Sequence, residues 1–198
     1  GHYIDTKHPV ISENLMGIKR KLGVKQLSKK PILISDLKLI VQAIIDDKNE
    51  YKKIQNKALI LIGFAGGFRR SELVSIERED IDFVDEGVKI NIRKSKTDQT
   101  GIGMTKAIPY FDNKIFCPVI SLNEWINYAK INNGKIFNIS DKSVALIIKK
   151  YALIAGLDNT KYAGHSLRSG FATSTAETGA DERSIMAMTG HKTTQMVR

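Results

Sequence analysis

"DIDFVDEGVKINIRKSKTDQTGIGMTKAIPYF", residues 80–111, is the stretch that decides the fold class. Its segments 80–84, 87–93 and 106–111 alternate apolar and polar residues or carry β-branched side chains, with turn-forming residues between them. The intervening loop, 94–105, is long, polar and contains two glycines. The pattern predicts a small antiparallel sheet, with Lys96 near the tip of its last hairpin.

The sequence on both sides of this stretch has helical periodicity. Ser35 is expected to cap the first helix of the domain, and Ser121 with Glu124 to form a capping box at a later one. Gly156 is expected to end a helix. The predicted helices cover an apolar stripe from 37 to 45, then 53–66, 69–76, 143–156, 165–177 and 181–190. The fold class predicted is therefore α+β and mostly α, with one small antiparallel β-sheet.

The length of 198 residues is sufficient for one large core. Residues 1–30 are polar and basic, with a hint of one short helix, and are interpreted as a linker or the end of a preceding domain. Residues 31–198 are interpreted as the main domain. Gly1-His2 resembles a remnant of cloning, so the chain is expected to be part of a longer protein.

The net charge of +10 and pI of about 9.6 favour a polyanionic partner: DNA, RNA or an anionic membrane. A lysine-rich solvated surface is the alternative explanation of this charge. Apolar runs reach only the length of a core helix, which argues against a membrane protein. A single cysteine, Cys117, excludes an internal disulfide and a cysteine-based zinc site. These features suit a cytoplasmic protein.

Two pairs of residues have spacings that suit phosphate binding. His165 and Arg168 share one face at the start of a helix, where backbone N–H groups favour an anion. Arg69 follows a glycine break, and Glu72 is placed to orient its guanidinium through a bidentate pair. Each pair alone is weak evidence for a phosphate site, because an H-x-x-R spacing is common and a charged residue beside a helix cap is usually solvated.

Other polar positions have competing explanations. Lys96 is suited to donating a proton or entering a DNA groove, although lysines at hairpin tips often serve solubility. His191 directly follows Gly190, a position at which a histidine often interacts with the dipole of the preceding helix rather than acting in catalysis. The acidic run 77–86 is interpreted as charge at turns and strand edges rather than a magnesium site. No glycine-flanked serine supports a Ser-His-Asp triad.

The order of these motifs resembles the tyrosine recombinase, or phage integrase, family over about residues 30–198. Arg69 in "FRRSEL", Lys96 in "SKT", His165 and Arg168 in "HSLR", and His191 in "GHK" match the positions of that family's active site. Glu72 matches the acidic residue that supports the first arginine. The resemblance implies the helical catalytic domain of that family, with no metal or other cofactor.

It also implies the chemistry. A tyrosine attacks a DNA phosphate and gives a 3′-phosphotyrosyl link, so that rejoining needs no ATP. The family's tyrosine follows the second histidine by about nine residues, which places it at the second position beyond Arg198. Tyr151 and Tyr162 do not match it. The 198-residue chain is therefore expected to hold the phosphate pocket, to lack the nucleophile and to form no covalent complex with DNA.

The partner implied is double-stranded DNA. A homotetramer is expected on DNA for the full-length protein, and a monomer for this chain. Integration or excision of a phage or mobile element is the expected role. Two alternatives stay open: a DNA-binding module of the same fold that has lost cleavage, and an enzyme like a type IB topoisomerase.

Overall fold

The computed structural model describes residues 8–22, 29–93 and 103–179. Its helices are α1 (Pro9–Leu22), α2 (Ile34–Ile45), α3 (Glu50–Ala65), α4 (Arg70–Ser75), α5 (Pro118–Tyr128), α6 (Asp141–Ile154) and α7 (Ser166–Glu177). Its strands are β1 (Ile81–Val84), β2 (Gly87–Ile92) and β3 (Met104–Pro109). The prediction of a mostly helical domain with one small antiparallel sheet is confirmed.

The helix starts differ from two of the predicted caps. Leu33, rather than Ser35, is the N-cap of α2, and no side chain caps that end. Helix α5 begins at Pro118, whose fixed φ suits a first helical turn, so Ser121 lies inside the helix and is buried. The predicted capping box of Ser121 and Glu124 is therefore wrong. Asn49 and Ser140 cap α3 and α6 by accepting backbone N–H bonds.

The sheet is an antiparallel meander in the order β1-β2-β3. Ile81 is opposite Ile90, and Val88 is opposite Ile108, so apolar side chains line the face that is directed at the core. Strand β3 alternates exposed and buried residues, and Lys106 and Ile108 both point inward. The sheet therefore brings one lysine to its buried face.

Helix α3 is the centre of the domain. Ten of its residues are buried, and it packs against α2, α5 and α7. Helix α6 packs against α2 and α4. The arginine turn, which we define as residues 66–69, directly follows α3, so the most buried helix fixes the position of that turn.

Residues 29–33 run across the start of α7. The N–H of Lys30 donates to the Lys161 carbonyl, and the N–H of Ile32 donates to the Ser166 carbonyl. A Cβ added at Gly170 would lie 2.0 Å from the Ile32 carbonyl oxygen. Only glycine therefore allows this segment to lie so close to α7.

Gly170→Ala is expected to lower the free energy of unfolding by about 1–3 kcal/mol, because backbone atoms must move to make room for the methyl group. Gly17→Ala in α1 is the matched control, since nothing lies within 4 Å of the added Cβ there. Urea unfolding of both variants measures the difference. Equal stability of the two variants would contradict the close packing of residues 29–33 on α7.

Candidate active site

The arginine turn has a sequence, Gly66-Gly67-Phe68-Arg69, that its geometry explains. The ring of Phe68 packs against Gly66, where an added Cβ would lie 2.1 Å from the ring, and Gly67 has a φ of 55°. Phe68 is buried, with 2 % of its surface exposed. The turn is thus held against the core, and its last residue, Arg69, is the N-cap of α4.

Glu72 fixes the Arg69 side chain. One oxygen of its carboxylate accepts the Arg69 backbone N–H at 2.9 Å, and the other accepts Arg69 Nη1 at 2.6 Å. Glu72 is itself buried, with 4 % of its side chain exposed. The predicted pairing of Glu72 with the Arg69 guanidinium is present, and the carboxylate also accepts the Arg69 backbone N–H. Both contacts restrict Arg69 to one orientation.

Arg168 reaches the same turn from α7. Its Nη1 donates to the Gly67 carbonyl at 2.9 Å, and only 5 % of the residue is exposed. Its Nη2 is buried and has no hydrogen-bond partner within the described residues. Burial, followed by the positive charge of Arg69, lowers the pKa of Arg168 to about 10, so the guanidinium is still charged at neutral pH. Arg69 and Arg168 therefore lie within electrostatic range of each other.

His165 is exposed and is the N-cap of α7. Its neighbour Gly164 packs on the side chain of Arg70, which an added Cβ would approach to 1.7 Å. The beginning of α7 thus touches the chain around the arginine turn at two points, through Gly164 and through Arg168. The structure consequently places His165 at the end of α7 that faces the arginines.

Lys106 is a further cation of this region, and the sequence reasoning missed it. Its Nζ donates to the Gly66 carbonyl at 2.6 Å and lies 4.7 Å from the centre of the Phe68 ring. Burial is the main cause that lowers its pKa to about 8; Glu72 opposes this shift, while Arg168 and Arg69 add to it. The alternation of β3 was the signal, because Lys106 is two positions from the inward-facing Ile108.

Arg93 anchors the end of β2, where the predicted Lys96 loop begins. Its Nε donates to Asp80 and its Nη1 to Glu77, both at 2.6 Å. Asp80 is buried and lies in a 3-10 turn directly before β1. Within the described ranges, no three His, Cys, Asp or Glu side chains are grouped in a way that could hold a metal ion.

Two tyrosines that precede the "HSLR" motif are used inside the fold. Tyr151 Oη donates to Asp47 at 2.7 Å, and Tyr162 Oη donates to Asp36 at 2.9 Å. Burial raises the pKa of both hydroxyls, that of Tyr162 to about 12. Neither side chain is suited to attack a phosphate, because a buried, bonded hydroxyl with a raised pKa is a poor nucleophile.

Lys96 and His191 lie outside the described residues, as do the predicted helix 181–190 and most of the loop 94–105. No helix in the part of the chain that the structure covers is long and apolar enough to cross a membrane.

Comparison with known proteins extends these observations. The family model described as "Phage integrase family" matches residues 35–198. An integrase/recombinase XerD homolog from Selenomonas ruminantium is 43% identical over 209 residues, covering 100% of this chain and 61% of the relative. Tyrosine recombinase XerD from Rickettsia prowazekii is 31% identical over 199 residues, covering 92% of this chain and 63% of the relative. The chain thus spans about three fifths of these relatives.

Solved structures share the fold. The XerH recombinase bound to its difH substrate, in a post-cleavage complex, superposes with a TM-score of 0.71 at 18% identity, over 86% of this chain and 48% of that one. The XerA recombinase gives a TM-score of 0.68 at 19% identity, over 98% of this chain and 69% of that one. The family model extends over both motifs that meet at the arginine turn, "FRRSEL" and "HSLR", so this chain belongs to the phage integrase family of tyrosine recombinases.

Proposed function

We propose that residues 31–198 form the catalytic domain of a site-specific DNA recombinase, and that residues 1–30 are the end of a preceding domain or a linker. The reaction is the cleavage and rejoining of DNA strands through a 3′-phosphotyrosyl intermediate. Integration or excision of a phage or mobile element is the role we propose for it. The compartment proposed is the cytoplasm, in which the one thiol, Cys117, stays reduced.

The buried guanidinium of Arg168 is the observation that carries this proposal. A buried cation is costly unless it meets an anion, and Arg168 Nη2 has no partner among the described residues. Arg69 is directed at the same region and is held by Glu72. Two fixed guanidinium forks suit the non-bridging oxygens of a phosphate, which they can bind in a bidentate manner.

The proposed roles follow from charge. Attack on the phosphate gives a pentacoordinate phosphorane with additional negative charge, which Arg69 and Arg168 stabilise. Lys96 protonates the departing 5′-oxygen, His165 assists the loss of the tyrosine proton, and His191 hydrogen-bonds the phosphate. Glu72 keeps Arg69 in place. In this proposal the side chains supply all the positive charge that stabilises the phosphorane, and no metal or other cofactor takes part.

Double-stranded DNA is the proposed substrate. The net charge of +10 suits contact with the DNA backbone. The names of the structural neighbours give further support: the XerH complex contains its difH substrate, and the Tn1549 transposon integrase is bound to transposon right-end DNA. We propose that the full-length protein forms a homotetramer on DNA and that this chain alone is a monomer.

The full-length gene product is expected to form a covalent complex with a nicked suicide substrate that carries the ends of its own element, in the presence of EDTA. A denaturing gel detects the complex, and protease digestion should leave a tyrosine on the 3′-phosphate. Binding without a covalent band would contradict the proposal and favour a DNA-binding module. Relaxation of a supercoiled plasmid that lacks any element sequence would favour a topoisomerase.

A further inference from the structure

Lys106 has an environment that lysines seldom occupy. Only 1% of its surface is exposed, although lysine is among the residues least often fully buried. Its neighbours on the inward face of β3 are apolar, and an apolar side chain at this position would avoid the desolvation of an ammonium group. The sheet core alone therefore gives no reason for a lysine here.

Lys106 contacts the arginine turn. Its ammonium donates to the Gly66 carbonyl, and the Arg168 guanidinium donates to the next carbonyl, that of Gly67. Two cations, one from β3 and one from α7, therefore hold consecutive peptide groups of the turn that carries Arg69. The Phe68 ring of the same turn lies against the ammonium, with its centre 4.7 Å from Lys106 Nζ.

The position of β3 adds a second link. Arg93 anchors the end of β2, and Lys106 lies close to the start of β3, so residues 94–102 have one anchored residue on each side along the chain. The first anchor binds the hairpin to the acidic residues Glu77 and Asp80, and the second binds it to the arginine turn. Lys106 thus joins the strand that follows the loop to the residues that hold Arg69.

We propose that Lys106 is a positioning residue of the active site, which holds the Gly66–Arg69 turn through its ammonium group and thereby fixes Arg69 and Arg168 relative to the hairpin. This inference rests on the proposed recombinase function, because positioning serves the clamp on the phosphate. Lys106 acts through the turn and does not itself touch the reacting atoms.

The charges around Lys106 make its action dependent on pH. Glu72 and Arg69 face it from the α4 side and Arg168 from α7, and burial lowers its pKa to about 8. The ammonium form, which donates to Gly66, is therefore present below about pH 8 and is lost as the pH rises through that value. An arginine at position 106 keeps its charge throughout this range.

The test compares Lys106→Met, Lys106→Arg and the control Lys89→Met in the full-length protein. Lys89 is exposed on the neighbouring strand β2. Covalent complex formation at saturating DNA is measured between pH 6.5 and 9.5, together with DNA affinity and thermal unfolding. We expect Lys106→Met to lower the rate about tenfold, the effect of losing one hydrogen bond from a charged donor, with DNA affinity within about twofold.

Lys106→Arg separates positioning from mere packing. It is expected to recover most of the rate at pH 7, and its rate relative to the original protein should rise above pH 8. Lys89→Met should match the original protein at every pH. Lys106→Met with an unchanged rate would overturn the proposal. So would parallel losses of rate, DNA affinity and thermal stability that Lys106→Arg does not reverse.

A readout without cleavage separates this proposal from the recombinase function itself. The Nε–Hε NMR signals of Arg69 and Arg168 are followed against pH in the free protein. We expect a titration with a midpoint near pH 8 that is absent in Lys106→Arg. Arginine signals that are the same in the original protein, Lys106→Met and Lys106→Arg at every pH would overturn the positioning role, even if cleavage occurs; signals that respond to Lys106 in a protein that does not cleave DNA would instead count against the recombinase function.

Discussion

Replacing Arg168 with lysine is expected to lower the rate of covalent complex formation by about 10²–10³, the usual effect of removing one oriented donor from a charged transition state. Lysine keeps the charge but has a single nitrogen, which cannot donate to the Gly67 carbonyl and also place a donor where Nη2 of the planar guanidinium lies. DNA affinity should change little, because one phosphate contact is a small part of a backbone-wide interaction.

Single-turnover cleavage of the suicide substrate measures this effect, with DNA affinity determined by fluorescence anisotropy. Arg78→Lys is the matched control, since Arg78 Nη1 donates to the Ile81 carbonyl at the edge of β1, away from the arginine turn. A rate for Arg168→Lys within about threefold of the original protein would show that the fork geometry of Arg168 has no role in the reaction.

Glu72→Gln is expected to lower the free energy of unfolding by about 3–5 kcal/mol and to abolish most cleavage. The carboxylate is buried and accepts from Arg69 twice. Its charge also raises the pKa of Lys106 and that of Arg168. The amide has the same shape but no charge, so three neighbouring cations lose an anion that stabilises them.

Urea unfolding measures the loss of stability, and Glu79→Gln is the control. Glu79 is exposed, and its carboxylate accepts its own backbone N–H and that of Gly134. The control should change stability by less than about 1 kcal/mol. If Glu72→Gln and Glu79→Gln had equal stabilities, the placement of Glu72 as the counter-charge of this cluster would be wrong.

The fold class was predictable because the two periodicities are well separated along the chain. A period of two occurs only around 80–111, and helical spacing occurs on both sides. Helix ends were harder to predict. Ser121 is a good capping residue by type, but Pro118 starts α5 earlier and leaves Ser121 buried inside it. The preference of Ser121 for a helix start was thus overridden by the preference of Pro118 for the first helical turn.

The residues of the candidate site that belong to a recognisable sequence motif were predictable. Arg69 and Arg168 were found from short patterns whose order along the chain resembles one family, and the structure brings both to one turn. Lys106 belongs to no such pattern, and a lysine on a short strand is usually exposed. Its contact with Gly66 joins residues forty positions apart, which only the packing of β3 against the end of α3 makes visible.

Neutralisation of charge on the scissile phosphate by the two arginines is the central claim. A methylphosphonate linkage tests it most directly, because a methyl group replaces one non-bridging oxygen and removes the negative charge. Cleavage rates of the original protein and of Arg168→Ala are compared on the phosphodiester and on the methylphosphonate. We expect Arg168→Ala to be slower by about 10²–10³ on the phosphodiester but by less than about tenfold on the neutral linkage. An equal loss on both substrates would contradict the claim that Arg168 acts through its charge on the phosphate.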